Sequence, residues 1–315
     1  MSAVQTPARS APAPTRHRRR MHRPQRRAAI ILMAPFFVFF LVAFVAPILD
    51  AIYQSLLQTH RSGYLGLGKS TTVFAGLSNY ALALREPDFI AAYGRVLLFG
   101  VVQVPVMIIL ATALAFLLES VSRRWAGFFR ATYFLPYGVP GVIASLLWSY
   151  LYVPGVSPIV SLFNDVGIHL DFLGFHTVLW SIANIVLWEF AGYNMLIIVA
   201  QLKSIPDDLI ESARVDGAGP WRTNLYVRLP LIRPALILTI VFSIIGTLQL
   251  FNEPQVLSQV SSYITTTYTP NISAYNQSFT NNNTNLASAE AVILALVAAI
   301  LSFSFLKLVT RRRSR

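Results

Sequence analysis

Five polar residues in otherwise apolar runs could bind a hydroxylated solute. Glu189, Tyr193 and Asn194 belong to Trp188-Glu-Phe-Ala-Gly-Tyr-Asn194, and Gln249 and Asn252 close a second run just ahead of Glu253. Residues four apart share a helix face, so Glu189 and Tyr193 project together, with Trp188 close by and Asn194 flanking them. A sugar presents flat C–H faces to aromatic rings and hydroxyls to polar partners, and this mixture supplies both. A charge inside a hydrocarbon-spanning run is costly and by default marks a lined cavity. The competing role is hydrogen-bonded glue between helices. It stays open for all five residues and for Gln103, which sits in another apolar run.

A second pattern suggests different chemistry and is read as a chance match. Gly63-Tyr-Leu-Gly-Leu-Gly-Lys-Ser70 has the spacing of a phosphate loop, whose backbone amides would cradle phosphates while Lys69 and Ser70 served a phosphate and a magnesium ion. No buried strand precedes it, no convincing helix follows, and no later strand ends in a magnesium-binding Asp. Its place outside the cell (below) would keep it from nucleotide. The five histidines, at 17, 22, 60, 169 and 176, show no metal-ligand spacing. With no cysteine there is neither a disulfide nor a thiolate site.

The elements that must position these residues are membrane spans. Apolar residues make up 55% of the chain and charged residues 12%, which excludes an ordinary soluble globule. A span takes roughly 20 mostly apolar residues. Six stretches qualify, at about 28–49, 96–118, 131–153, 178–202, 234–252 and 287–309, giving an all-α membrane protein with six transmembrane helices. Pro105, Pro136 and Pro140 are expected to kink their spans.

Lys and Arg set the orientation. Twenty-one of the 25 fall in the N-terminal tail, between spans two and three, between spans four and five, or at the C-terminus. The other face receives only Arg61, Lys69, Arg85 and Arg95. Both termini are therefore expected in the cytoplasm. The net charge of +12 follows the span ends and is no nucleic-acid footprint. Residues 1–27, rich in Pro, Ala and Arg, are expected to be disordered, and 310–315 form a basic cytoplasmic end. The uncharged run 28–49 exceeds the roughly 7–15 residues of a cleaved signal and reads as a retained span.

The outer loops then cover about 50–95, 154–177 and 253–286. The last is rich in Asn, Ser, Thr and Tyr and is expected to be a contact surface for an external partner. Its sequons at Asn271, Asn276 and Asn282 matter only in a secretory pathway, and nothing else marks a eukaryotic chain.

Between spans four and five, residues 203–233 form a polar cytoplasmic hairpin. Ser204 is expected to cap a short helix, with Asp207 and Asp208 in its first turn where the dipole favours negative charge. Ile205, Leu209, Ile210 and Ala213 give an apolar stripe, and Gly217 ends the helix in a left-handed conformation. Gly219-Pro220 restarts a second short helix, which Pro230 interrupts. An interfacial amphipathic linker would look much the same.

The literal residues go further. Glu211-Ser-Ala213, then Gly217, then Val227-x-Leu229-Pro230 closely resembles the cytoplasmic "EAA" loop of permease subunits of binding-protein-dependent ABC importers. Ile205-Pro-Asp-Asp-Leu209 and Asp216-Gly-Ala-Gly-Pro220 are similar to the carbohydrate branch, the maltose-type and glycerol-phosphate-type permeases, as is Phe134-Leu-Pro-Tyr137 at span three. Ser212 and Val227 depart conservatively from the pattern, and Ser258–Tyr263 stands where the family often has Thr-Gly-Gly-Pro.

The resemblance implies a type I importer permease fold in a bacterial plasma membrane. It implies that Glu211, Ala213, Asp216, Gly217, Leu229 and Pro230 form a coupling element docking on an ATPase, with cavity residues on spans four and five. The implied partners are a second, homologous permease, an ABC ATPase dimer that holds ATP and magnesium, and an extracytoplasmic solute-binding protein. No cofactor is expected in this chain. Two rivals stand beside this reading. A secondary transporter would usually show more spans and broken helices, and a polytopic enzyme would need a clustered acid, base or metal set.

Overall fold

The computed structural model describes residues 23–61 and 70–311. The chain divides into two compact units, Met1–Asp50 and Ala51–Arg315. In the first, α1 (Arg23–Phe40) runs through a π-helical turn, Leu41–Val45, into α2 (Ala46–Ser55), whose residues from Ala51 on belong to the second. Phe36, Phe40 and Phe44 are four apart, so their rings stack along one face at 6.1 and 5.7 Å. The helix thus begins at Arg23, inside the stretch expected to be unstructured; residues 1–22 of that tail lie outside the described residues.

The second unit opens with an antiparallel hairpin, β1 (Leu57–Arg61) and β2 (Ser70–Phe74), in which Leu57 faces Phe74 and Thr59 faces Thr72. The Gly63–Lys69 part of the phosphate-loop pattern lies outside the described residues, and Ser70 begins β2. After α3 (Ser78–Arg85) comes α4 (Pro87–Ser120), with Pro87 in the first turn where a missing N–H costs nothing and Asp88 beside it at the positive end of the dipole. It stays helical through Pro105.

Span three differs from the single helix expected over 131–153. It is α5 (Arg123–Phe134), a 3₁₀ turn at Leu135–Gly138, and α6 (Gly141–Tyr152), the halves meeting at 94°. Pro136 and Pro140 bracket Gly138; each removes an N–H from the ladder, and Val139, ahead of Pro140, is extended (φ −83°, ψ 127°). On the outer side, the short α7 (Pro158–Asp165) starts from Ser157, whose Oγ accepts from the Val160 amide at 3.1 Å.

The central element is α8 (Val178–Leu202), more than half buried by its neighbours. The loop between spans four and five follows with α9 (Asp207–Val215), α10 (Pro220–Arg222), a π-helical segment Thr223–Arg228 and α11 (Leu229–Leu231). Span five, expected over 234–252, is longer and also broken. Its first part, α12 (Arg233–Leu248), gives way at 249–251, where Phe251 leaves the helical region (φ −143°, ψ −57°), to α13 (Asn252–Leu257). Then α14 (Pro270–Phe279) lies in the outer loop and α15 (Thr284–Arg311) forms the last span.

Two apolar clusters hold the bundle around α8. Ile182, Ile185, Leu257 and Ile272 pack at its outer half, and Met195, Ile198 and Ile232 against Ala111 and Ala115 of α4 at its inner half. The small alanines let the backbones approach, which is how helices associate where lipid is as apolar as the side chains. Large apolar residues such as Val101, Ile109, Ile300 and Phe303 remain exposed, as lipid-facing positions must.

Candidate functional site

The breaks in spans three and five meet the middle of α8. Irregular backbone at membrane depth is tolerated only where protein buries it or where it lines a cavity, and here both hold. A cavity of about 370 Å³ lies between α4, the span-three turn, α8 and the end of span five. Tyr193, Asn194, Gln249 and Asn252, all singled out from the sequence, line it together with Gln103. Ser243, Thr247 and Glu253 add polar groups, and Phe99, Phe190 and Phe251 add rings.

The break in span three aims Tyr137 into this cavity. Its ring lies nearly parallel to that of Tyr193, with centroids 4.6 Å apart and planes 15° off, while Phe190 meets it edge-on at 5.8 Å. A flat aromatic wall beside amides and hydroxyls suits a saccharide. Two of those polar residues carry a buried atom with no protein partner. Gln103 and Asn194 are 3% and 4% exposed, yet the Gln103 Nε2 donor and the Asn194 Oδ1 acceptor are unbonded. The Asn194 Nδ2 donates to the Phe190 carbonyl at 3.0 Å.

Glu189 sits elsewhere than expected. It does not line the cavity but lies behind it, buried where the start of α6 meets the start of α13. A Cβ on Gly141 would stand 3.3 Å from Glu189 Oε1 and 3.2 Å from Asn252 Nδ2, so any larger residue would make these side chains give way by a few tenths of an ångström. Glu189 Oε2 is buried without a partner. Trp188 likewise turns away and packs edge-on against Trp148 of α6 at 6.0 Å.

Freed backbone groups at the second break are bonded by the outer loop. Thr269 Oγ1 donates to the Leu250 carbonyl at 3.0 Å and Asn271 Nδ2 to the Gln249 carbonyl at 3.1 Å. Ser261, Thr269 and Ser273 are buried, and Asn276 Nδ2 donates to Thr266 and Ile272 carbonyls. Much of the polar composition expected to face a partner therefore holds the loop together. Arg95 pins it to α4, donating to the carbonyls of Thr267 and Tyr268 while its guanidinium sits 4.8 Å over the Tyr268 ring. Burial pushes the Tyr268 phenol pKa up, and the Arg95 charge opposes this.

In the loop between spans four and five, Asp207 and Asp208 occupy the first turn of α9, but the cap is Pro206. Ser204 instead closes α8, its Oγ donating to the Gln201 carbonyl at 2.8 Å. Gly217 has φ +82°, and the paired bonds Gly217 N to Arg214 O and Ala218 N to Ala213 O, at 3.0 and 2.9 Å, form a Schellman end. Ile205 and Ile210 are buried while Leu209 points out, so the apolar stripe splits between two faces. Glu211, Asp216, Gly217 and Pro230 are exposed, Ala213 is half-buried, and Leu229 packs on the inner cluster. Nothing lies within 4 Å of a Cβ built on Gly217, and Val215 and Trp221 are 87% and 77% exposed. An exposed glycine turn flanked by bare apolar side chains is a surface another protein can approach closely.

Comparison with known proteins decides the family. The profile of the binding-protein-dependent transport system inner membrane component matches residues 107–315, which include the cavity-lining part of α8 and the whole cytoplasmic loop. The chain belongs to this family. The lactose transport system permease protein LacF of Rhizobium radiobacter is 30% identical to this permease, covering 87% of it and 91% of LacF. The trehalose transport system permease protein SugA of Mycobacterium tuberculosis is 28% identical, covering 90% and 89%. Among solved structures, a bacterial ABC transporter involved in the import of the acidic polysaccharide alginate superposes with a TM-score of 0.78 at 19% identity, covering 91% of the permease and 96% of that chain, and shows the shared fold. The broken spans, a mark expected of secondary transporters, thus belong to an importer permease.

Three residues that shape the site escaped sequence reasoning: Tyr137, Gly141 and Gly192. A Cβ on Gly192 would overlap the Tyr133 carbonyl, so this glycine lets α8 seat against α5. The available signals were Tyr137-Gly-Val-Pro-Gly141, a run of helix breakers inside an apolar span, and a glycine between Glu189 and Tyr193.

Proposed function

We propose that this chain is the permease subunit of an ABC importer that carries a sugar or sugar-like solute across a bacterial plasma membrane. The observation that carries the reading is the Tyr137–Tyr193 stack facing unbonded Gln103 and Asn194 groups in a cavity where two broken spans meet. Relatives that transport trehalose and lactose support a saccharide.

In this reading both termini and loop 203–233 face the cytoplasm, following the Lys and Arg distribution. An ATPase dimer, which holds the ATP and magnesium, docks on α9 around Glu211, Ala213, Asp216 and Gly217. Leu229 and Pro230 pass the movement of α9 into span five. A second, homologous permease completes the passage, and an extracytoplasmic binding protein delivers the solute. ATPase closure favours one orientation of the bundle over the other through its differential affinity for the two states.

Uptake of radiolabelled disaccharides by cells with and without this chain, before and after ATP depletion, tests the proposal. The expected result is ATP-dependent uptake that vanishes with the chain and is weakened by Tyr193→Ala. Uptake indifferent to the chain, or driven by an ion gradient after ATP is gone, contradicts it.

A further inference from the structure

We infer that the cavity admits neutral or cationic saccharides and turns away those carrying carboxylate, phosphate or sulfate. This rests on the saccharide reading above and narrows it. Among the described residues that line the cavity there is no Lys, Arg or His, and the one carboxyl group is that of Glu253, itself 6% exposed. A second acidic residue, Glu189, meets Gly141 from the same side as Asn252, both within 3.3 Å of a Cβ built there, and its Oε2 is buried and unbonded.

An anionic solute entering this space loses its water and finds no counter-charge on this chain, a penalty that holds even when both carboxyl groups carry protons. When they are ionised, repulsion adds to it. The unbonded groups point the same way. Gln103 Nε2 offers a hydrogen and Asn194 Oδ1 a lone pair. A hydroxyl satisfies both because it donates and accepts, whereas an ionised phosphate or carboxylate only accepts. An ammonium group would in addition meet Glu253 with favourable charge.

The test uses the complete transporter, this chain with its partner subunits, in lipid nanodiscs. Cellobiose, the disaccharide of glucosamine and cellobiouronate, matched in size, are presented at equal concentration and binding is read by saturation-transfer NMR. The first two are expected to bind at least about tenfold more tightly than the uronate. Glu253→Lys is expected to shrink or invert that ratio, and Glu253→Gln serves if the lysine variant fails to assemble. Uronate binding equal to cellobiose, or a ratio unmoved in every variant that assembles, overturns the charge selection while leaving the saccharide reading intact. Binding of none of the three overturns both.

Discussion

Gly192 of α8 lies directly against the backbone carbonyl of Tyr133 in α5, so close that a Cβ on residue 192 would overlap the oxygen. This contact seats the first half of the broken span on the central helix and so fixes where Tyr137, one turn on, enters the cavity. Gly192→Ala must push the helices apart, at a cost typical of overpacking, about 1–3 kcal/mol or more. The detergent-solubilised protein is expected to lose several degrees of thermal midpoint and most of its uptake. Gly127→Ala, where an added Cβ meets nothing within 4 Å, should leave both unchanged.

The stacked tyrosines should answer to ring chemistry more than to the hydroxyl. Tyr193→Ala and Tyr137→Ala are each expected to weaken saccharide binding by up to roughly tenfold, the scale of a lost aromatic contact of about 0.5–1.5 kcal/mol. Tyr193→Phe should keep most of the affinity. Equal losses for Ala and Phe, measured as the concentration giving half-maximal uptake, would shift the weight from stacking to hydrogen bonding.

Thr269 serves the structure twice. Its Oγ1 donates to the Leu250 carbonyl at the span-five break and accepts from the Ile272 amide, opening α14. Thr269→Val keeps the shape and leaves a buried carbonyl and amide unbonded, costing about 1–3 kcal/mol. Thermal unfolding should show the loss, and Thr269→Ser should restore most of it.

The spans could be read from composition because hydrocarbon thickness demands long apolar runs, and Gly217 could be read because a helix end in the left-handed region favours glycine. The breaks were harder. The break at Gln249–Phe251 falls where the apolar run gives way to polar Asn252-Glu-Pro-Gln255, so hydropathy reads it as the end of the span and not as an interruption before α13. For span three, prolines 136 and 140 announced a kink but neither its 94° size nor the close seat of the Tyr133 backbone on Gly192. Glu189 shares a helix face with Tyr193, yet the packing of α6 and α13 covers one and leaves the other open. In the outer loop, composition revealed polar side chains but not that Thr269 and Asn271 turn inward to bond a broken helix.

For the cytoplasmic loop, Glu211→Lys and Gly217→Trp are expected to abolish uptake while the protein stays in the membrane at normal levels. Both positions are exposed, with open space at Gly217; the left-handed backbone there adds a local strain of about 1–2 kcal/mol to the Trp variant at the end of α9, and Glu211→Lys carries none. Uptake assays beside a membrane immunoblot check this, and normal transport by either variant would count heavily against docking at α9.

The central claim is that residues 203–233 hang beneath the bundle as a lever reached from the cytoplasm. The chain contains no cysteine, so Ser212→Cys on exposed α9 gives a single reporter thiol. A membrane-impermeant maleimide should leave it unlabelled in intact spheroplasts and label it in inverted vesicles, less so once the ATPase subunits are bound. Labelling in intact spheroplasts would contradict the account.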